Sequence, residues 1–149
     1  MVVAVMCSSA LPQHVKKRLK MPPASIEGES AATFKGIEAA WLQGDAQGLS
    51  NYMRDSKVLL NVAGLGEQGG YFSKSQAFYL FKGMFKATKH KQFRFIKYHD
   101  VSQSNRRVYG VAHRSFQDVS SGRLYRDKIY ITLKLEGERW VISEIKSTR

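Results

Sequence analysis

Apolar positions along the chain follow two periods, one of about 3.6 residues in the first half and one of two residues in the second. From Thr33, the residues Phe34, Ile37, Ala40 and Trp41 recur at helical spacing, and Gly44-Asp45 supplies a break followed by a fresh cap. Leu49, Tyr52 and Met53 carry the apolar face into a second short helix. Ser56 to Val62 is short and rich in apolar residues, and Gly64, Gly66, Gly69 and Gly70 follow it, which predicts a strand entering a turn-rich connection. Ser73-Lys74-Ser75-Gln76 has the form of a capping box, so a helix is predicted from Lys74. Ala77, Phe78, Leu80, Phe81, Met84 and Phe85 give it a broad buried face, and Thr88 to Lys91 ends it.

The remainder reads as strands. Gln92 to Val101 places Phe93, Phe95 and Lys97 on one side and Arg94, Ile96 and Tyr98 on the other, and Val108 to Phe116 forms a second run. Ser120-Ser121-Gly122 marks a hairpin. Tyr125, Ile129, Ile131, Leu133 and Leu135 share one face, and after the turn Glu136-Gly137-Glu138 a last strand covers Arg139 to Lys146. Helices first and a meander of antiparallel strands afterwards is an α+β order, in which N-terminal helices pack on the sheet.

The segment before Thr33 differs in character. Pro12, the basic residues Lys16, Lys17, Arg18 and Lys20, Pro22-Pro23 and Glu27-Gly28-Glu29-Ser30 punctuate rather than pack, so residues 1–32 are expected to be a flexible basic segment with at most a short helix at 13–20. Residues 33–149 are expected to form the folded domain. Met1 to Ala10 joins an apolar run to small residues, with Ser8 and Ala10 at signal-peptidase-like positions but no basic leader. Two readings stay open there, an ordinary start or the remnant of an export signal. Val5-Met6 before Cys7 is a poor lipoprotein match.

Composition narrows the function classes. Cys7 is the single cysteine and only four histidines are present, so neither an internal disulfide nor a zinc-type ligand set can be read, and no metal or cofactor is expected. Twenty-four Lys and Arg against 12 Asp and Glu give a formal charge of +12, which attracts anionic partners. Between Glu67 and Asp100 no acidic residue occurs, while Lys74, Lys82, Lys86, Lys89, Lys91, Arg94 and Lys97 all fall there. Lys82 through Lys97 form the expected basic patch. No stretch approaches the roughly 20 apolar residues of a membrane-spanning helix.

In this order the elements resemble the nuclear-transport-factor-2-like superfamily, whose helices line one side of a cone closed by a strongly curved sheet. The closer resemblance is to a bacterial family of unknown function within it, usually exported. It is carried by Gly44-Asp45-Ala46 with Leu49 and Tyr52, by Gly70-Tyr71 with Ser73-Lys74-Ser75-Gln76-Ala77 and Phe85, and by Ile129-Tyr130-Ile131 with Gly137, Trp140 and Ile145. These matches run from about Phe34 to Ser147, and each is a cap, a turn glycine or a core hydrophobe. The resemblance implies a cone pocket, an exported location and a sheet face through which two copies pair.

Enzymes on this fold use a buried carboxylate or an Asp-His pair, because proton transfer needs a base tuned by an apolar pocket. Here Asp55, His99, Asp100, His113 and Asp127, with Tyr52, Tyr98, Tyr109 and Tyr130, are the groups available. His99 and Asp100 are adjacent on a strand and point to opposite faces, whereas His113 and Asp127 lie on neighbouring strands of unknown register. The polar pattern alone therefore assigns no catalytic residue. The first expectation is a non-catalytic binding or protein-association domain, with Trp41, Tyr52, Phe81, Phe85, His113 and Tyr130 as pocket-lining candidates for a small apolar or anionic ligand. An isomerase or dehydratase and a nucleic-acid-associated basic protein are the alternatives.

Overall fold

A computed structural model describes residues 24–66, 68–102 and 106–148. In chain order it contains α1 (Ala24–Leu42), α2 (Ala46–Asn51), β1 (Val58–Asn61), β2 (Gly70–Phe72), α3 (Lys74–Ala87), β3 (Thr88–Ser102), β4 (Arg107–Asp118), β5 (Leu124–Glu136) and β6 (Arg139–Thr148). The readings of Met1 to Ala10, of Cys7 and of a helix at 13–20 lie outside the described residues.

Local chemistry sets the helix ends. The Asp45 carboxylate accepts from the Gly48 amide at 2.9 Å and caps α2. At α3 the Ser73 hydroxyl accepts from the Gln76 amide at 3.2 Å, and the Gln76 side chain accepts from the Ser73 amide at 2.9 Å. These two bonds satisfy amides that the first helical turn leaves open. The Thr88 hydroxyl donates to the Met84 carbonyl at 2.7 Å, and the chain passes at Thr88 directly into β3. That strand begins four residues before the alternation at Gln92. Helix α1 likewise reaches back to Ala24, well ahead of Thr33. In sequence Ile26 stands eight residues before Phe34, a helical spacing, but the intervening Glu27-Gly28-Glu29-Ser30 breaks the apolar run and obscures it.

The sheet order is β2-β1-β6-β5-β4-β3. Strands β3 to β6 form the antiparallel meander, closed at one end by a two-residue turn in which Gly137 has φ 63°. A II′ hairpin turn needs a positive φ at that first position, which glycine supplies without strain. The sheet is not wholly antiparallel. β1 runs parallel to β6, with Leu59 opposite Glu144, and the short β2, not expected from sequence, pairs antiparallel with β1. Three register shifts between β3 and β4 bend the edge of the sheet, since each extra residue kinks its strand.

The helices cover one sheet face. Phe34, Ile37 and Trp41 of α1 and Ala77, Phe81 and Met84 of α3 meet Phe93, Phe95, Ala112, Ile129, Ile131 and Ile145. Trp41 stacks on Phe93 with centroids 4.4 Å apart and receives the Phe81 ring edge-on at 5.4 Å. Each such side chain contributes about 1.5–3 kcal/mol on burial. Gly110 lies beneath this layer, where a Cβ would come within 2.8 Å of both the Phe34 and Phe95 rings. Alternation then sends Ala112, Arg114 and Phe116 inward and Val111, His113 and Ser115 outward, which gives the sheet two chemically different faces.

Candidate functional site

Where the apolar run of β4 faces inward, it carries Arg114. This residue is 2% exposed, and its Nε and Nη2 donate to the two carboxylate oxygens of Asp127 on β5 at 2.8 and 2.5 Å. Nη2 also reaches the Ala63 carbonyl at 3.2 Å, and Nη1 the Met84 sulfur at 3.7 Å. The guanidinium lies 4.3 Å from the Phe116 ring centroid. A planar, bidentate, ring-stacked arginine of this kind compensates a carboxylate that burial would otherwise destabilise.

His113 is opposite Lys128, and it is Arg114 that stands opposite Asp127. The His113–Asp127 encounter that adjacency left open therefore does not occur, because a one-residue offset sends a side chain to the other sheet face. His99 stacks on Tyr109 at 4.8 Å and is exposed, as is Asp100. Asp55 is exposed and lies 3.6 Å from Lys74 Nζ. Tyr98 packs on Phe34 and Phe95, and burial, followed by the nearby Glu38 charge, raises its phenol pKa.

Beside Arg114 on the inward face sits His90, edge-on to Trp41 and Phe85. The one proton of the Thr88 hydroxyl goes to Met84, so Thr88 Oγ1 accepts from His90 Nε2 at 3.1 Å and Nδ1 keeps its lone pair. Burial, and then the Arg114 charge, lower the His90 pKa to about 4. The ring is held neutral.

The six pocket-lining candidates divide between the faces. Trp41 and Phe81 have no exposed surface and pack on each other, with Phe85 half-buried beside them. Tyr52 is half-buried, its hydroxyl pressed against Gly36 of α1. His113 and Tyr130 lie on the opposite face. There they line an open cavity of about 660 Å³ together with Gln92, Ser115, Arg126, Lys128 and Thr148, drawn from four adjacent strands. Arg114 and Asp127 form part of its floor.

The expected basic patch also divides. Lys82 and Lys86 are exposed on α3, whereas Lys89, Lys91, Arg94 and Lys97 are exposed along β3, the sheet edge. The charge nearest the cavity comes from Arg126 and Lys128, neither of which the acid-free tract contains. Alternation could have found them, since inward Ile129 and Ile131 require Arg126, Lys128 and Tyr130 to point outward. The glycine loop beyond β1 frames a second depression of about 370 Å³, with Asn61, Gly64, Gly66, Gly69 and Ser147 on its walls, and none of its described lining residues is a cation.

A family model described as a domain of unknown function, DUF4783, matches residues 34–147. No curated protein matches the sequence. Among solved structures, a DUF4783 family protein from Bacteroides ovatus is similar with a TM-score of 0.59 at 20% identity, over 75% of this chain and 90% of that one. A putative isomerase from Bacillus subtilis gives 0.65 at 12% identity, over 82% and 86%. A hypothetical protein with a ketosteroid isomerase-like fold from Catenulispora acidiphila, in complex with trimethylamine, gives 0.60 at 11% identity, over 78% and 84%. At these identities the likeness is one of fold, and that fold is the helix-covered curved sheet anticipated from the sequence.

Proposed function

Because the chain belongs to the DUF4783 family, a domain of unknown function, we propose from its own geometry that it is a non-catalytic binding domain for a small anionic ligand on the outward face of its sheet. The observation that carries this reading is the cavity of about 660 Å³ in which Arg126 and Lys128 stand beside the polar groups of His113, Ser115 and Tyr130. Cations bordering a depression, with hydroxyl and imidazole donors at hand, suit a carboxylate or phosphate ester.

Two features argue against an interior reaction site. The Asp127 carboxylate is already tied by two bonds to Arg114, and His90 is neutral and wedged among rings. Trp41 and Phe81, expected to line a cone pocket, have no exposed surface and pack on each other instead. A fold neighbour holds trimethylamine, so small-ligand binding is compatible with this architecture, although the cations here select the opposite charge.

Titration of the protein with inorganic phosphate and with citrate, followed by amide NMR shifts, tests the proposal. Saturable shifts at His113, Arg126, Lys128 and Tyr130 are expected. Joint replacement Arg126→Gln and Lys128→Gln should weaken binding about tenfold or more, since each charged hydrogen bond is worth about 1.5–3 kcal/mol. Absence of saturation, or affinity unchanged in the double variant, would sink it.

A further inference from the structure

We propose that the same outward face is a platform for single-stranded nucleic acid, a deepening that rests on the anion-binding reading above. Four cross-strand rows define the face: His99–Tyr109–Thr132–Glu144, Lys97–Val111–Tyr130–Lys146, Arg94–His113–Lys128–Thr148 and Gln92–Ser115–Arg126. Across three inter-strand spacings, about 14 Å, they bring together two chemistries that the sequence scatters.

The first is a run of rings. His99 and Tyr109 stack at 4.8 Å with planes 23° apart, and Tyr130 follows at 6.4 Å from Tyr109. These rings are not needed by the core, which lies on the other face. The second is charge. Arg94, Lys97, Arg126 and Lys128 form no ion pair among the described residues, and the one carboxylate of the rows, Glu144, is bonded to Lys146 at 3.2 Å. A ligand that offers phosphates to the cations and flat bases to the rings uses both, and stacking tolerates any base sequence.

Other occupants fit less well. A second copy docked by two-fold symmetry would set these cations against themselves. A lipid surface calls for protruding apolar side chains, yet the large exposed ones, Leu42, Tyr71, Tyr79, Ile96, Tyr98, Val119 and Leu124, all lie outside the four rows. An acidic peptide would engage the lysines and leave the rings idle.

Fluorescence anisotropy with labelled oligo(dT), against polyglutamate as a base-free polyanion, tests the assignment. The oligonucleotide should bind more tightly than polyglutamate. Its log affinity should fall with log salt at a slope of about −2 to −3, as four phosphate contacts require. Tyr109→Leu should weaken oligonucleotide binding about tenfold while leaving polyglutamate unchanged. His99→Ala, at an exposed position, repeats the test with little risk to folding, and circular dichroism checks both. Equal binding of the two polyanions, ring variants without effect, or a dimer that oligonucleotide cannot compete with would overturn the proposal. If phosphate saturates the cavity but oligo(dT) does not bind, this inference falls and the small-anion reading stands. If neither binds, both fall.

Discussion

Arg114 and Asp127 face each other across β4 and β5, thirteen residues apart in sequence, with both side chains nearly sealed from solvent at 1% and 4% exposure. Their two parallel hydrogen bonds place opposite charges within the apolar layer, and each charge depends on the other for solvation. Taking one away leaves its partner buried and uncompensated.

Asp127→Ala should therefore cost about 3–5 kcal/mol in urea-induced unfolding. The joint change Arg114→Met with Asp127→Leu should recover most of that loss, because well-packed apolar substitutes remove both desolvation costs. A double variant as unstable as the single one would show that the Ala63 and Met84 contacts, rather than the ion pair, hold this region.

His90 couples stability to pH. Its folded pKa is lowered to about 4 from 6.5, by burial first and the Arg114 charge second. Between those values the unfolded chain takes up a proton that the folded chain refuses, so stability falls as pH drops through the window from 6.5 to 4 and is fully present above it. Thermal melts between pH 7 and pH 4.5 should show a shallower pH dependence in His90→Gln than in the parent chain. Equal slopes would remove the residue from the account.

Two glycines should respond in opposite directions to alanine. Gly110→Ala drives a methyl into the Phe34 and Phe95 rings, and overpacking of this kind costs about 1–3 kcal/mol. Gly83 lies on the exposed side of α3 with nothing within 4 Å of an added Cβ. Gly83→Ala should stabilise by about 0.4–1 kcal/mol through the unfolded state. Chemical denaturation of the two variants side by side decides whether the ring layer is as tight as described.

The cap of α3 is open to a similar test. Ser73→Ala removes the acceptor for the Gln76 amide and should cost about 1 kcal/mol. Ser73→Asp, which restores an oxygen, should recover it. Hydrogen exchange at the Gln76 amide gives a local readout that a general loss of stability would not mimic.

These predictions also mark what the sequence made legible. The Ser73 box and the Gly137 turn were readable because each is settled by chemistry within four residues. Strand β2 was not, since three residues give too little alternation to count. The register of β4 against β5 was hidden for a different reason: moving the pairing by one residue leaves the sequence pattern intact yet exchanges His113 for Arg114 as the partner of Asp127. The outward cavity was hidden because its walls come from residues as far apart as Gln92 and Thr148: alternation sends Arg126 and Lys128 outward, but only the strand pairing sets them beside Gln92, His113 and Thr148.

The parallel seam between β1 and β6 has a consequence for the order of events at the ribosome. The chain makes β1 early, but the neighbour that fixes it, through Leu59 opposite Glu144 and the Ala63 amide on the Ser147 hydroxyl at 2.8 Å, belongs to β6, the last strand among the described residues. Until that strand emerges, the β1–β2 ribbon has only itself to pair with, and isolated two-stranded ribbons are marginal in water. A nascent chain halted before Arg139 thus carries helices and a half-built meander but no seam. Emergence of β6 supplies the strand that joins the β1–β2 ribbon to the rest of the sheet.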